Sequence, residues 1–155
     1  MEDLLQQLLQ EEQEIQFDKF NENIAWRIGC LLVEYSMREG LPVTIDITRG
    51  EHQLFHASLK GTSPDNDEWI KRKIRLVYRF GHSSYYMGQL LKSKGKSIEE
   101  AYLIPESLCA PHGGCFPVIV KETGVIGAIT VSGLPQEEDH KLVIRILNDY
   151  LALEK

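Results

Sequence analysis

No apolar run in this 155-residue sequence approaches the roughly 18 residues that a membrane-spanning helix requires. Positive charge is also missing from the N-terminus, where Glu2 and Asp3 stand in place of the basic residues of a secretory leader. Basic residues are outnumbered, 17 Lys and Arg against 23 Asp and Glu, and the formal charge of -6 excludes general attraction to phosphate backbones or anionic lipid. Cysteine is sparse: Cys30, Cys109 and Cys115 have no zinc-ligand spacing and leave one over from any pair, so free thiols are expected and no metal site. Internal repeats, low-complexity tracts and long linkers are absent. These absences point to one cytoplasmic domain over 1–155, with neither nucleic acid nor membrane as partner.

A hydrophobic content of 43% is ample for one core in a chain of this length. Residues 2–15 set Leu4, Leu5, Leu8 and Leu9 on one stripe, an amphipathic helix that must cover something, and a short strand is expected at 15–20. Asn21 or Asn23 caps a second helix that Gly40 and Pro42 end. Val43, Ile45 and Ile47 alternate with Thr44, Asp46 and Thr48, and 53–59 returns as the partner of a hairpin. Ser63-Pro64-Asp65 opens a helix to about Phe80 that carries Lys71, Arg72, Arg75 and Arg79 on one side, and Gly81 interrupts it before Ser83 or Ser84 caps another.

The stretch 111–133, PHGGCFPVIVKETGVIGAITVSG, reads as a glycine loop feeding a second hairpin, followed by a helix opened by Glu137, Glu138 and Asp139. His112 stands beside Gly113 and Gly114, and His82 beside Gly81, so both imidazoles sit at element boundaries where free N–H groups can face a cleft. With Arg72 or Lys73 on the preceding helix and Ser83 at the next helix start, the set suits an anionic group such as a carboxylate or phosphate. Ser132, in the exit turn, is held with them, although no nucleophile elbow or triad surrounds it. His52 and His56 read as surface residues, and His140 as facing solvent.

The double glycine leading into a strand, the run VIGAITVSGLPQEEDH, and the upstream stretches LPVTIDI, GTSPDNDEWI and RFGHSSYYMG together resemble the GlcG/HbpS-like family, often labelled haem-degrading domains, in a branch catalogued as an uncharacterised protein family. The resemblance covers nearly the whole chain from about Phe17. It implies an α+β, profilin-like domain with a single five-stranded antiparallel sheet covered by helices, assembled as a homo-oligomer. The leucine stripe, which would otherwise expose apolar surface, is expected to bury against a neighbouring subunit or against the domain's own sheet. The resemblance also implies haem or another small anionic ligand, and a site role for Asp139, which matches the family's acid after the serine-glycine turn. His112, Cys109 and Cys115 are the candidate axial ligands. A small-ligand-binding module is the leading expectation; an oligomeric interaction protein, structural or chaperone-associated, comes second, and an enzyme of undisclosed reaction third.

Overall fold

The computed structural model describes residues 1–154. Helices α1 (Glu2–Glu14) and α2 (Glu22–Arg38) lead into a hairpin of β1 (Thr44–Arg49) and β2 (His52–Ser58). Helices α3 (Pro64–Phe80), α4 (Ser84–Lys94) and α5 (Ile98–Tyr102) precede the second hairpin, β3 (Cys115–Val120) and β4 (Gly124–Ser132), and α6 (Gln136–Leu153) closes the fold. Helices begin where a short polar side chain can take an otherwise free N–H: Asn21 accepts from Ile24, Ser83 from Tyr86 and Ser97 from Glu100. Helices α3 and α4 stop at Gly81 and Gly95, both in the left-handed conformation.

The strands form one antiparallel sheet in the order β2-β1-β4-β3. Among the described residues it has four strands, not the expected five. At 15–20 only Phe17 reaches the sheet edge, donating to the Ile119 carbonyl at 2.8 Å and accepting from Lys121 N–H at 2.9 Å, a single parallel bridge. Ile15 and Phe17 are drawn into the core while Asn21 must already cap α2, so no second residue in this short segment stays in register with the edge.

The two faces of the sheet differ in chemistry. Ile45, Ile47, Phe116, Val118, Ile129 and Val131 point to one face and pack against Ile28 and Leu32 of α2 and Leu142, Val143 and Ile146 of α6, each fully buried side chain contributing about 1.5–3 kcal/mol. The alternate residues Thr44, Asp46, Thr48, Thr130 and Ser132 are also buried, but they are polar and lie beneath α3. Buried polar groups are stable only when bonded, and here Gln53 Nε2 donates to Asp46 at 2.6 Å and Thr48 to the His52 carbonyl at 2.9 Å. Helix α1 lies on α4 rather than on the sheet, with Leu8 buried and Leu4, Leu5 and Leu9 half-buried, so much of the leucine stripe is covered within the chain.

Candidate functional site

The first turns of α3, the end of β4 and the start of α6 border an open cavity of about 380 Å³, within the size range of small-ligand sites. Asn66, Trp69, Lys73, His112, Ser132 and Asp139 are among its walls. Asn66 fastens two of these elements together: its Oδ1 accepts Ser63 N–H at 2.9 Å and its Nδ2 donates to Ser132 Oγ at 3.3 Å. One turn on, Trp69 meets the His112 ring edge-on, with centroids 5.3 Å apart. Arg72 lies over the Trp69 ring at 4.1 Å and donates to the Glu106 carbonyl at 3.2 Å, so it bears on the cavity through the indole. Burial lowers the His112 pKa, with the Lys73 charge adding to the effect, and the imidazole is neutral at physiological pH.

Lys73 is the unusual wall. Its side chain is only 3% exposed, and its ammonium donates to the Val131 carbonyl at 3.2 Å and to Asp139 Oδ2 at 3.4 Å. An ammonium carries three hydrogens, and among the described residues these are its two acceptors. Asp139 in turn accepts from the Leu134 N–H at 2.9 Å and the Gly133 N–H at 3.3 Å. Burial lowers the Lys73 pKa and pushes the Asp139 carboxyl up to about 6; their mutual attraction opposes both shifts. Gly114, at φ 131°, leaves room for the pair, since a Cβ there would stand 2.3 Å from the Val131 carbonyl oxygen and 2.7 Å from Lys73 Nζ. Gly113 N–H is bonded to Gln136 Oε1 at 3.0 Å. Gly114 thus lets the chain pass close behind the ion pair, while Gly113 lies against the Gln136 carbonyl and Tyr85 with its own donor occupied by protein.

The structure does not bring His82 and Ser83 into this cavity. His82 Nδ1 lies 2.7 Å from Glu12 Oε1, and the other Glu12 oxygen accepts Ser83 N–H at 3.0 Å, so both residues serve to dock α1. The Glu12 hydrogen bond raises the His82 pKa against the opposing effect of burial. A histidine whose folded pKa exceeds its unfolded value contributes stability that is present below the unfolded pKa of about 6.5 and is lost as pH rises through the folded one. The stability difference between the native chain and Glu12→Gln is therefore expected to shrink as pH rises from 6 to 8.5, by no more than about 1 kcal/mol because His82 keeps 39% of its side chain exposed. Thermal melts across that range would refute the tether if the difference were constant.

Comparison with known proteins agrees with the fold. The model of the family described as "Haem degrading protein HbpS-like" matches residues 20–148. The chain belongs to the HbpS-like family. A UPF0303 protein of Streptomyces coelicolor is 47% identical over 146 residues, covering 94% of this chain and 92% of that protein. The crystal structure of Ybr137w protein superposes with a TM-score of 0.90 at 32% identity, over 97% of this chain and 88% of that one. A structure titled as a PduOC:Heme complex shares the fold, with a TM-score of 0.68 at 14% identity over 83% and 93% of the two chains.

Within this HbpS-like chain, other expectations need correction or completion. His140 is buried rather than solvent-facing, with Nε2 2.8 Å from Glu11 Oε1 and its ring 5.0 Å from that of Tyr85, so it too belongs to the α1 contact. Cys115 is fully buried, with its thiol pushed up to about 12 by burial, and Cys109 packs with Leu76, Met87 and Leu91. Neither offers a thiolate to the cavity. Asn66, Trp69 and Gln136 are walls that the motif reading passed over. Of the three, Asn66 carried a signal: with Ile70, Lys73 and Val77 it recurs at helical intervals on one side of α3.

Proposed function

We propose that this chain is a small-ligand-binding module whose cavity takes a flat, acid-bearing molecule. The observation that carries the reading is the buried Lys73 ammonium, with a hydrogen that no acceptor among the described residues takes, beside the aromatic pair Trp69 and His112. Ser132 supports it: its Oγ accepts from Asn66, leaving the hydroxyl hydrogen for a ligand. Haem is one molecule of this description, in keeping with the family's description and with the PduOC:Heme title. The donor set fits it at one position, since a neutral imidazole is the form that ligates iron and His112 supplies it, while Lys73 and Ser132 would receive a propionate. Bound haem would supply redox chemistry at its iron, and the residues here would hold and orient it.

Charge sets the pH dependence. At neutral pH the Lys73 charge is offset by Asp139, and Asp65 adds another negative wall. As pH falls through about 6, Asp139 takes up a proton and the lysine charge is left for the ligand. Binding of benzoate, a flat carboxylate, is expected to strengthen by roughly tenfold or more between pH 7.5 and 5.5, the equivalent of a charge-assisted hydrogen bond. Lys73→Met should abolish that gain, and a haemin titration of His112→Ala should lose the absorbance shift shown by the native chain. Calorimetry showing benzoate affinity indifferent to both pH and Lys73→Met would sink the anion reading.

A further inference from the structure

We propose that Lys73 captures carbonyl compounds, forming a reversible imine with a small 2-oxo acid bound in the cavity. The inference rests on the cavity being an anion-binding site and names the ligand class. Of the lysines among the described residues, Lys73 alone is buried, and it is also a cavity wall. A buried ammonium is best satisfied when all three hydrogens have acceptors, whereas the two acceptors among the described residues stand at 3.2 and 3.4 Å, toward the long end for hydrogen bonds, and leave the third hydrogen open to a ligand. The backbone is shaped around this amine, since any side chain at Gly114 would collide with Nζ. Ser132 and Asn66 offer an O–H and a second amide hydrogen for the ligand's carboxylate, and Trp69 and Leu134 give an apolar bed for its remaining carbon.

Asp139 completes the proton path. An amine attacks a carbonyl only when neutral, and burial of Lys73 favours that form. The ammonium passes a proton to the Asp139 carboxylate. The amine nitrogen then bonds to the carbonyl carbon as the C=O π pair moves to oxygen, which takes the proton back from Asp139. Loss of a second nitrogen proton through Asp139 to the hydroxyl breaks the C–O bond, water leaves, and the nitrogen lone pair closes the protonated imine. One ammonium and one ketone give one iminium and one water, with no oxidant or reductant. A carboxyl poised near 6 both accepts and returns a proton at neutral pH.

The test uses the full chain at neutral pH with pyruvate and sodium cyanoborohydride, which reduces an imine to a stable carboxyethyl-lysine, followed by peptide mass mapping. The native chain should carry the adduct predominantly on Lys73 rather than on exposed Lys71 and Lys92, because burial favours the neutral amine at Lys73. Excess lactate, which has the carboxylate but no ketone, should suppress it. Mapping the native chain requires no variant to fold, and Lys73→Met serves as the blank. Calorimetric binding of pyruvate and lactate without a Lys73 adduct would overturn the imine and leave the anion site standing. Binding of neither, with no adduct, would overturn both, and an adduct spread evenly over the lysines would overturn the imine.

Discussion

A Gly114→Ala chain is expected to lose about 3–5 kcal/mol of stability, the sum of a backbone conformation that L-residues scarcely adopt and an overpacked interior. Its φ of 131° is one part; the other is that the new methyl would stand 2.3 Å from the Val131 carbonyl oxygen, a backbone atom that cannot swing aside. For a chain of this length the melting temperature should fall by roughly 10 °C. The effect should be site-directed as well as global, because Lys73 Nζ at 2.7 Å must move if β4 does not. Calorimetric melting reads the first consequence and benzoate affinity the second. A Gly114→Ala protein that melts within about 2 °C of the native chain would show that the loop relaxes freely and that the glycine is not there to admit the lysine.

The second large effect concerns the acid. Removing one partner of a buried ion pair leaves the other charge without compensation, and Asp139→Ala is expected to destabilise by about 3–5 kcal/mol. Two backbone N–H groups, of Gly133 and Leu134, lose their acceptor at the same time. Replacing both charges, in Lys73→Met with Asp139→Leu, should recover much of that loss, because an apolar pair of similar volume has no charge to desolvate. The double variant should bind neither benzoate nor pyruvate. If urea titration gave the single and double variants equal losses, the cost would belong to the two unpaired N–H groups rather than to the stranded lysine.

The frame was legible where the determinants are local. Asn21, Ser63, Ser83 and Ser97 announce helix starts through bonds to residues a few positions on, and the alternation at 43–48 marks a strand without outside help, although its polar face is buried too, beneath α3, and not half-exposed as the alternation suggests. The family run around Ser132 and Asp139 led to half of the cavity. The α1 contacts were illegible because Glu11 and Glu12 meet His140 and His82 from 129 and 70 positions away, and nothing beside a histidine in sequence names such a partner. Adjacency to glycine put His82 and His112 in one imagined cleft, yet a glycine sets how the chain turns and not which face it turns toward. Lys73 was the half-readable case: it sits in a series of cations on α3, but it alone shares the phase of Ile70 and Val77 and so turns inward.

The unlike faces of the sheet make strand alignment a condition of chemistry. Side chains alternate with a period of two, so sliding β4 by a single position along β1 would send Ile129 and Val131 under α3 and present Thr130 and Ser132 to α2 and α6. The slip would strand hydroxyls in oil and lay isoleucine against the lysine ammonium, penalising both layers together. A misaligned chain could therefore not persist as a stable protein with a damaged cavity. Selection for either property proofreads the other, and the ligand site inherits the alignment accuracy of the hydrophobic core.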